Sequence, residues 1–186
     1  ACRMCRAWPD TLTHARHAHL LAPPADTLVH ALKYEGWREL TPIMGRAMAK
    51  VPLPPVLPGG RRVVVPVPTT RERVRRRGYN QAQLLAADVA ERLGLDLVDG
   101  LARTRGGATQ VALHPSERRA NVRGAFQARE EALPGLQGAH VLLVDDVLTT
   151  GATAVAAAAE LALAGVSEVT LLTYARALPF LRSTGR

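Results

Sequence analysis

Two runs of branched apolar residues, Val63-Val64-Val65 and Val141-Leu142-Leu143-Val144, contain no polar position. A strand with one face in water alternates apolar and polar side chains, so unbroken runs mark strands covered on both faces, as in a parallel sheet. Val169 to Tyr174 predicts a last strand that closes the core, Leu95 to Val98 a short one, and Gly124-Ala125-Phe126 a return to the sheet. Between the strands the period lengthens. Leu85, Val89 and Leu93 recur at fourfold spacing behind Asn80, a capping residue with Gln83 three positions on, and Gly94 stops the segment. Ala152 onward predicts an alanine-rich helix ending near Gly165. Nearer the N-terminus, Leu28, Ala31 and Leu32 share one helical face and Leu40, Ile43, Met44 and Ala47 another. Tyr34-Glu35-Gly36-Trp37 is the turn between them, and Pro42 stands near the second start. Strands alternating with helices predict a doubly wound, mainly parallel α/β sheet.

Three stretches break the pattern. Val51 to Gly60 is a Pro/Gly-rich connector, which divides the chain into an N-terminal segment over 1–60 and a core domain over 61–186. Arg71 to Gly78 reads as a dense arginine loop. Arg103 to Gly124 is long and polar, with Gly106-Gly107 near its start and a short helix expected from Ser116; such a segment between strands suits a lid. No internal repeat is present.

The richest chemistry follows Val144. Asp145 and Asp146 are expected at the carboxyl end of the central strand, where ligands of open α/β sheets bind. Val147 and Leu148 lead into Thr149-Thr150-Gly151-Ala152-Thr153, whose backbone N–H groups and hydroxyls open a helix and make an anion site. A carboxylate pair beside a phosphate cradle suits a phosphorylated ribose. It also suits Mg²⁺, held directly or through water by Asp145 and Asp146. The bland alternative is a strand end with a solvated acid pair and a capping threonine. A nucleotide-hydrolysing P-loop is excluded, because G-x-x-x-x-G-K-[ST] occurs nowhere.

This run closely resembles the PRPP-binding signature of type I phosphoribosyltransferases. Further blocks extend the likeness: Leu32-Lys33-Tyr34 with Gly36, Val65-Pro66-Val67-Pro68, Arg77-Gly78-Tyr79-Asn80-Gln81, Gln110 with Leu113, Arg118 with Asn121, and Gly124-Ala125-Phe126. From about Ala25 onward they are similar to the ComF family of competence-associated, phosphoribosyltransferase-like proteins. The resemblance implies a type I phosphoribosyltransferase fold, preceded by a small helical segment carrying a remnant zinc ribbon. Asp145 and Asp146 would be the catalytic carboxylates that hold the ribose hydroxyls and stabilise an oxocarbenium-like sugar. Thr149 to Thr153 would hold the 5′-phosphate, Pro66, Val67, Pro68 and Thr69 would face the pyrophosphate, and Arg103 to Gly124 would form the hood. Arg77, Arg118 and Asn121 are then pyrophosphate and lid candidates. Lys33 and Tyr34 either reach the site or merely pack.

Charge adds a second theme. The net charge is +8 with 24 Lys+Arg, of which only Lys33 and Lys50 are lysines. Arginine bias fits phosphate contact through bidentate guanidinium bonds, and equally a GC-rich genome. Arg61, Arg62, Arg71, Arg73, Arg75, Arg76 and Arg77 would supply a sequence-independent phosphate track for single-stranded DNA, beside the helicase-like partner that the family's association implies. Aromatic content of 4% leaves few bases to stack, so such binding is expected to be weak and salt-sensitive.

Cys2-Arg3-Met4-Cys5 is half of a zinc knuckle. His14, His17 and His19 could complete a Zn²⁺ site, but their spacing is irregular, and a remnant of the family's four-cysteine ribbon is the simpler reading. A second departure is Thr149: phosphoribosyltransferases that use purines often place an acid there, so no resident acid/base for a purine is evident. No run approaches the roughly 20 strongly apolar residues of a membrane span, and no signal-peptide core opens the chain. A cytoplasmic protein without membrane insertion is expected. Three functions stay open: a Mg²⁺-dependent phosphoribosyltransferase of unknown acceptor, a non-catalytic DNA-handling competence factor, and a fold relic serving as an interaction module.

Overall fold

The computed structural model describes residues 8–104 and 124–178. Its centre is a five-stranded sheet ordered β1-β7-β6-β2-β3. These strands are β1 (Leu12–Leu20), β2 (Arg62–Pro66), β3 (Asp96–Leu97), β6 (His140–Leu148) and β7 (Glu168–Arg176). All neighbours pair in parallel, as unbroken apolar runs require.

Period-2 alternation assigns each residue of the runs to one of two cores. Val63, Val65, Val141 and Leu143 face the first, where Ala154, Ala157, Ala158 and Leu161 of α6 (Ala152–Leu163) pack. Val64, Leu142 and Val144 face the second. There they meet α1 (Ala25–His30), α2 (Thr41–Ala49) and α4 (Gln81–Leu93) through Val29, Met44, Met48, Leu85 and Val89. Each central strand therefore loses water from both sides. Truncating a fully buried side chain such as Leu142 to alanine is expected to cost about 2–5 kcal/mol.

Several local expectations are corrected. Residues 12–20, which carry His14, His17 and His19, form an edge strand on β7, so part of the N-terminal segment completes the sheet. Along that strand His14 and His17 project to opposite faces, and the described residues contain no metal-binding cluster of His, Cys, Asp and Glu. Cys2 and Cys5 lie outside the described residues. The arginine stretch is a helix, α3 (Arg71–Arg77), not a loop. The Thr70 hydroxyl accepts from the Arg73 N–H at its start, and Gly78 ends it at φ 83, a conformation that a Cβ disfavours. Asn80 does cap α4, accepting from the Ala82 N–H at 3.2 Å. Among the described residues no hydrogen bond from Gln83 completes a capping box; the Asn80 amide donates to the Val67 carbonyl at 3.0 Å.

The return near Gly124 does not enter the sheet. β5 (Phe126–Ala128) pairs with β4 (Leu101–Arg103) as a separate antiparallel ribbon. A 3₁₀ turn over Glu130–Ala132 and the short α5 (Leu133–Leu136) then lead to β6. Among the described residues no helix is long and apolar enough to cross a membrane.

Candidate functional site

The chain leaves β2 toward α3 and α4 on one face of the sheet, and leaves β6 toward α6 on the other. Divergent connections from adjacent parallel strands open a crevice between them. Here it is a cleft of about 510 Å³. Its floor is Asp145, Asp146 and Val147, one wall is Val67, Pro68 and Thr69, and Thr149 and Thr153 form the rim. The sequence placed the two acids just past the strand, whereas β6 runs on to Leu148 and Asp145 pairs in register with Thr173.

The acids are held differently. Asp145 Oδ1 accepts the Asp146 N–H at 2.8 Å. Asp146 is 3% exposed, and its Oδ1 lies 3.0 Å from the Lys33 ammonium. Its Oδ2 is buried without a hydrogen-bond partner among the described residues. A buried carboxylate oxygen left bare costs free energy unless something else fills the role. Burial, and then the Asp146 charge, push the Asp145 carboxyl up to about 7, against the Asp146 N–H bond and the Lys33 and Arg103 charges. Two adjacent carboxylates sharing one floor resist ionising together.

The small-residue turn follows. Gly151 takes φ 80, and a Cβ there would sit 3.5 Å from the Trp8 ring, so the turn has a left-handed residue backed by an aromatic plate. Ala152 N–H points to the Thr150 hydroxyl at 3.5 Å, and α6 begins at once. Thr149 and Thr150 are exposed, while Leu148 and Gly151 are buried beneath them.

Opposite the acids stands a cationic wall. Arg73, Arg76 and Arg77 of α3 line the cleft, joined by Arg103 from β4. Burial, and secondarily the Arg73 charge, hold the Arg103 guanidinium below its usual range, while Asp145 opposes the shift. Arg103 also lies over the Phe126 ring at 5.1 Å, and Arg77 donates to the Gln81 side-chain oxygen. Of the arginine candidates, Arg71 and Arg75 are exposed on the same helix but do not line the cleft. Arg61 and Arg62 stand a whole strand away, at the amino end of β2. There they donate to the Gly135 and Pro54 carbonyls, the first at 2.6 Å, so they do not continue the α3 row. Arg118 and Asn121 lie outside the described residues.

The sequence leaves Lys33 undecided and marks Arg103 only as the first residue of the hood. The first hides in a one-turn π-helix, Ala31–Glu35, and the second in a strand of three residues. The signal for Lys33 was its being one of only two lysines in an arginine-rich chain.

The phosphoribosyl transferase domain family matches residues 79–178. The DNA utilization protein YhgH of Escherichia coli O157:H7 is 33% identical over 150 residues, covering 78% of this chain and 63% of that protein. Competence protein F of Haemophilus influenzae is 35% identical over 117 residues, covering 61% of this chain and 50% of its own length. The chain thus spans less than two thirds of these relatives. The solved structure of the allosteric regulatory enzyme of purine biosynthesis overlaps 73% of this chain and 25% of its own, at 21% identity and a TM-score of 0.48.

Proposed function

The chain belongs to the phosphoribosyl transferase domain family and, within it, to the ComF proteins, and from that premise we propose that its cleft binds PRPP or a related phosphoribosyl nucleotide. The observation that carries the reading is the bare, buried Asp146 Oδ2 beside Asp145, between a phosphate turn and an arginine wall. A sugar hydroxyl donated to that oxygen would satisfy it. The 5′-phosphate would rest on Thr149 to Thr153 at the start of α6. Pyrophosphate would face Arg73, Arg76, Arg77 and Arg103 from the Val67–Thr69 side.

This placement suits transfer at C1′. As the C1′–O bond breaks, pyrophosphate leaves with the bonding pair and the sugar turns cationic; an incoming nucleophile then supplies the pair for the new bond. Asp145 and Asp146 stabilise the positive sugar, and the arginines stabilise the departing anion. Asp146 Oδ2 and the adjacent Asp145 carboxylate also fit Mg²⁺, which when bound supplies positive charge to the pyrophosphate. Thr149 offers no carboxylate to an acceptor base, so the acceptor must bring or find its proton transfer elsewhere.

The test is PRPP-dependent pyrophosphate release in the presence of Mg²⁺ and a panel of nitrogenous acceptors. Release that vanishes in Asp145→Asn/Asp146→Asn supports the reading; release unchanged in that variant sinks it.

One further observation favours DNA handling. Beside α3, Tyr34 and Trp37 are 63% and 55% exposed, and the Arg77 guanidinium lies 5.7 Å from the Tyr34 ring centre. Exposed aromatics interleaved with arginines suit single-stranded nucleic acid. The relatives' names, DNA utilization protein and Competence protein F, favour the same reading, a role in natural transformation. Oligonucleotide affinity that falls steeply with salt and drops in Trp37→Ala supports it. Affinity indifferent to both discards it.

A further inference from the structure

Lys33 stands apart from the other cations of the cleft. It belongs to neither the phosphate turn nor the arginine wall, and it comes from the N-terminal segment. The helix begun at Ala25 widens over Ala31–Glu35 into a π-turn and ends at Gly36. Inside that turn Leu32 is fully buried, and its carbonyl accepts the Tyr79 hydroxyl from the junction of α3 and α4. The backbone just before Lys33 is therefore pinned. A π-turn inserts a residue and re-aims the side chains around it, and such turns concentrate at functional sites.

The re-aimed ammonium sits 3.0 Å from Asp146 Oδ1, with the Lys33 side chain 22% and the Asp146 side chain 5% exposed. One carboxylate oxygen is thereby occupied and the other, Oδ2, is left bare. A carboxylate with one oxygen tethered cannot rotate freely, so the bare oxygen has a fixed direction. Arg73, Arg76, Arg77 and Arg103 already make the cleft cationic, so attracting phosphate does not require this lysine.

Resting on the phosphoribosyl reading above, we infer that Lys33 is a positioning residue: it clamps Asp146 through Oδ1 so that Oδ2 is presented to a sugar hydroxyl. The clamp spans the chain. Ligand recognition at β6 is tied through Lys33 to the π-turn, and through Tyr79 to the helix pair on the far side of the cleft.

The experiment compares two probes, ribose 5-phosphate and inorganic phosphate, by calorimetry without divalent cation. Both are titrated into wild type, Lys33→Met, Lys33→Arg, Asp146→Asn and the double variant Lys33→Met/Asp146→Asn. The expected result is about tenfold weaker ribose 5-phosphate binding in Lys33→Met, with phosphate binding changed by no more than about twofold and partial recovery in Lys33→Arg. In the Asp146→Asn background the lysine substitution should add nothing, the signature of two residues acting as one unit. The double variant removes both charges of the pair and so keeps the fold even where the single one strains it. Equal losses for both probes, or a lysine effect that persists without the Asp146 charge, would overturn the inference. Wild-type protein that binds phosphate but gains nothing from the sugar overturns the phosphoribosyl reading and this inference with it. Strong sugar-dependent binding indifferent to Lys33→Met overturns this inference alone.

Discussion

The two ends of the parallel sheet carry similar residues and use them oppositely. At the amino end, His140 is buried, its Nε2 2.9 Å from the Thr170 hydroxyl and its Nδ1 3.6 Å from Glu168. Glu168 also accepts the Thr13 hydroxyl and lies 3.3 Å from His14. The acid there is spent on its neighbours. At the carboxyl end, Asp145 and Asp146 share a floor, and one oxygen of Asp146 meets no partner among the described residues. A settled network holds strands in register, whereas an unsettled one has capacity left for a ligand. Charge alone does not separate the two ends; the leftover valence does.

The largest expected effect is on ligand affinity, and it should divide the ends cleanly. Asp146→Asn removes the charge of the bare carboxylate and is expected to weaken PRPP binding about a hundredfold, while Glu168→Gln leaves it unchanged. Isothermal titration reads both.

Next comes pH. Asp145 has its native pKa raised from 3.8 to about 7, so the folded protein binds that proton more tightly than the unfolded chain, and the group costs stability as pH rises across that interval. Asp145→Asn is therefore expected to be more stable than wild type at pH 8, on the order of 2–4 kcal/mol by denaturant titration, with the difference gone below about pH 4. The amino end runs the other way. The Thr13 hydroxyl, above all, holds Glu168 below its ordinary 4.5, and burial, then Arg62, holds His140 below 6.5. Each contributes stability that is whole above its ordinary value and lost as pH falls through its native one. Glu168→Gln should accordingly cost about 1–2 kcal/mol at neutral pH and progressively less in acid.

The smallest effect separates the arginines. Arg75 is exposed on α3 outside the cleft. Arg75→Ala should leave PRPP binding intact but lower the salt slope of oligonucleotide binding by about 0.7. A loss of PRPP affinity there would blur the line between cleft and DNA surface.

Much of this was legible in the chain because its signals are local. The Val141–Val144 run, the acid pair and the small-residue turn each announce themselves within a few positions, as does the Asn80 cap. What escaped depends on distant partners. β1 carries His14, Arg16, His17 and His19 on an edge, so its composition suggests ligands or loop, and only β7 makes it a strand. α3 has almost no apolar residue to show a helical period, though Thr70 and Gly78 bracket it. Lys33 reaches Asp146 from a turn one residue wider than an α-helix, and no spacing rule reports that.

The central claim is that the Asp145–Asp146 floor recognises a phosphoribosyl ligand. Its most direct test is calorimetric titration of PRPP with Mg²⁺ into wild type and into Asp145→Asn/Asp146→Asn, with circular dichroism to verify the fold of both. The account predicts saturable binding in the micromolar range to wild type and none to the variant. Absence of binding to the folded wild type, or equal binding to both proteins, would contradict it.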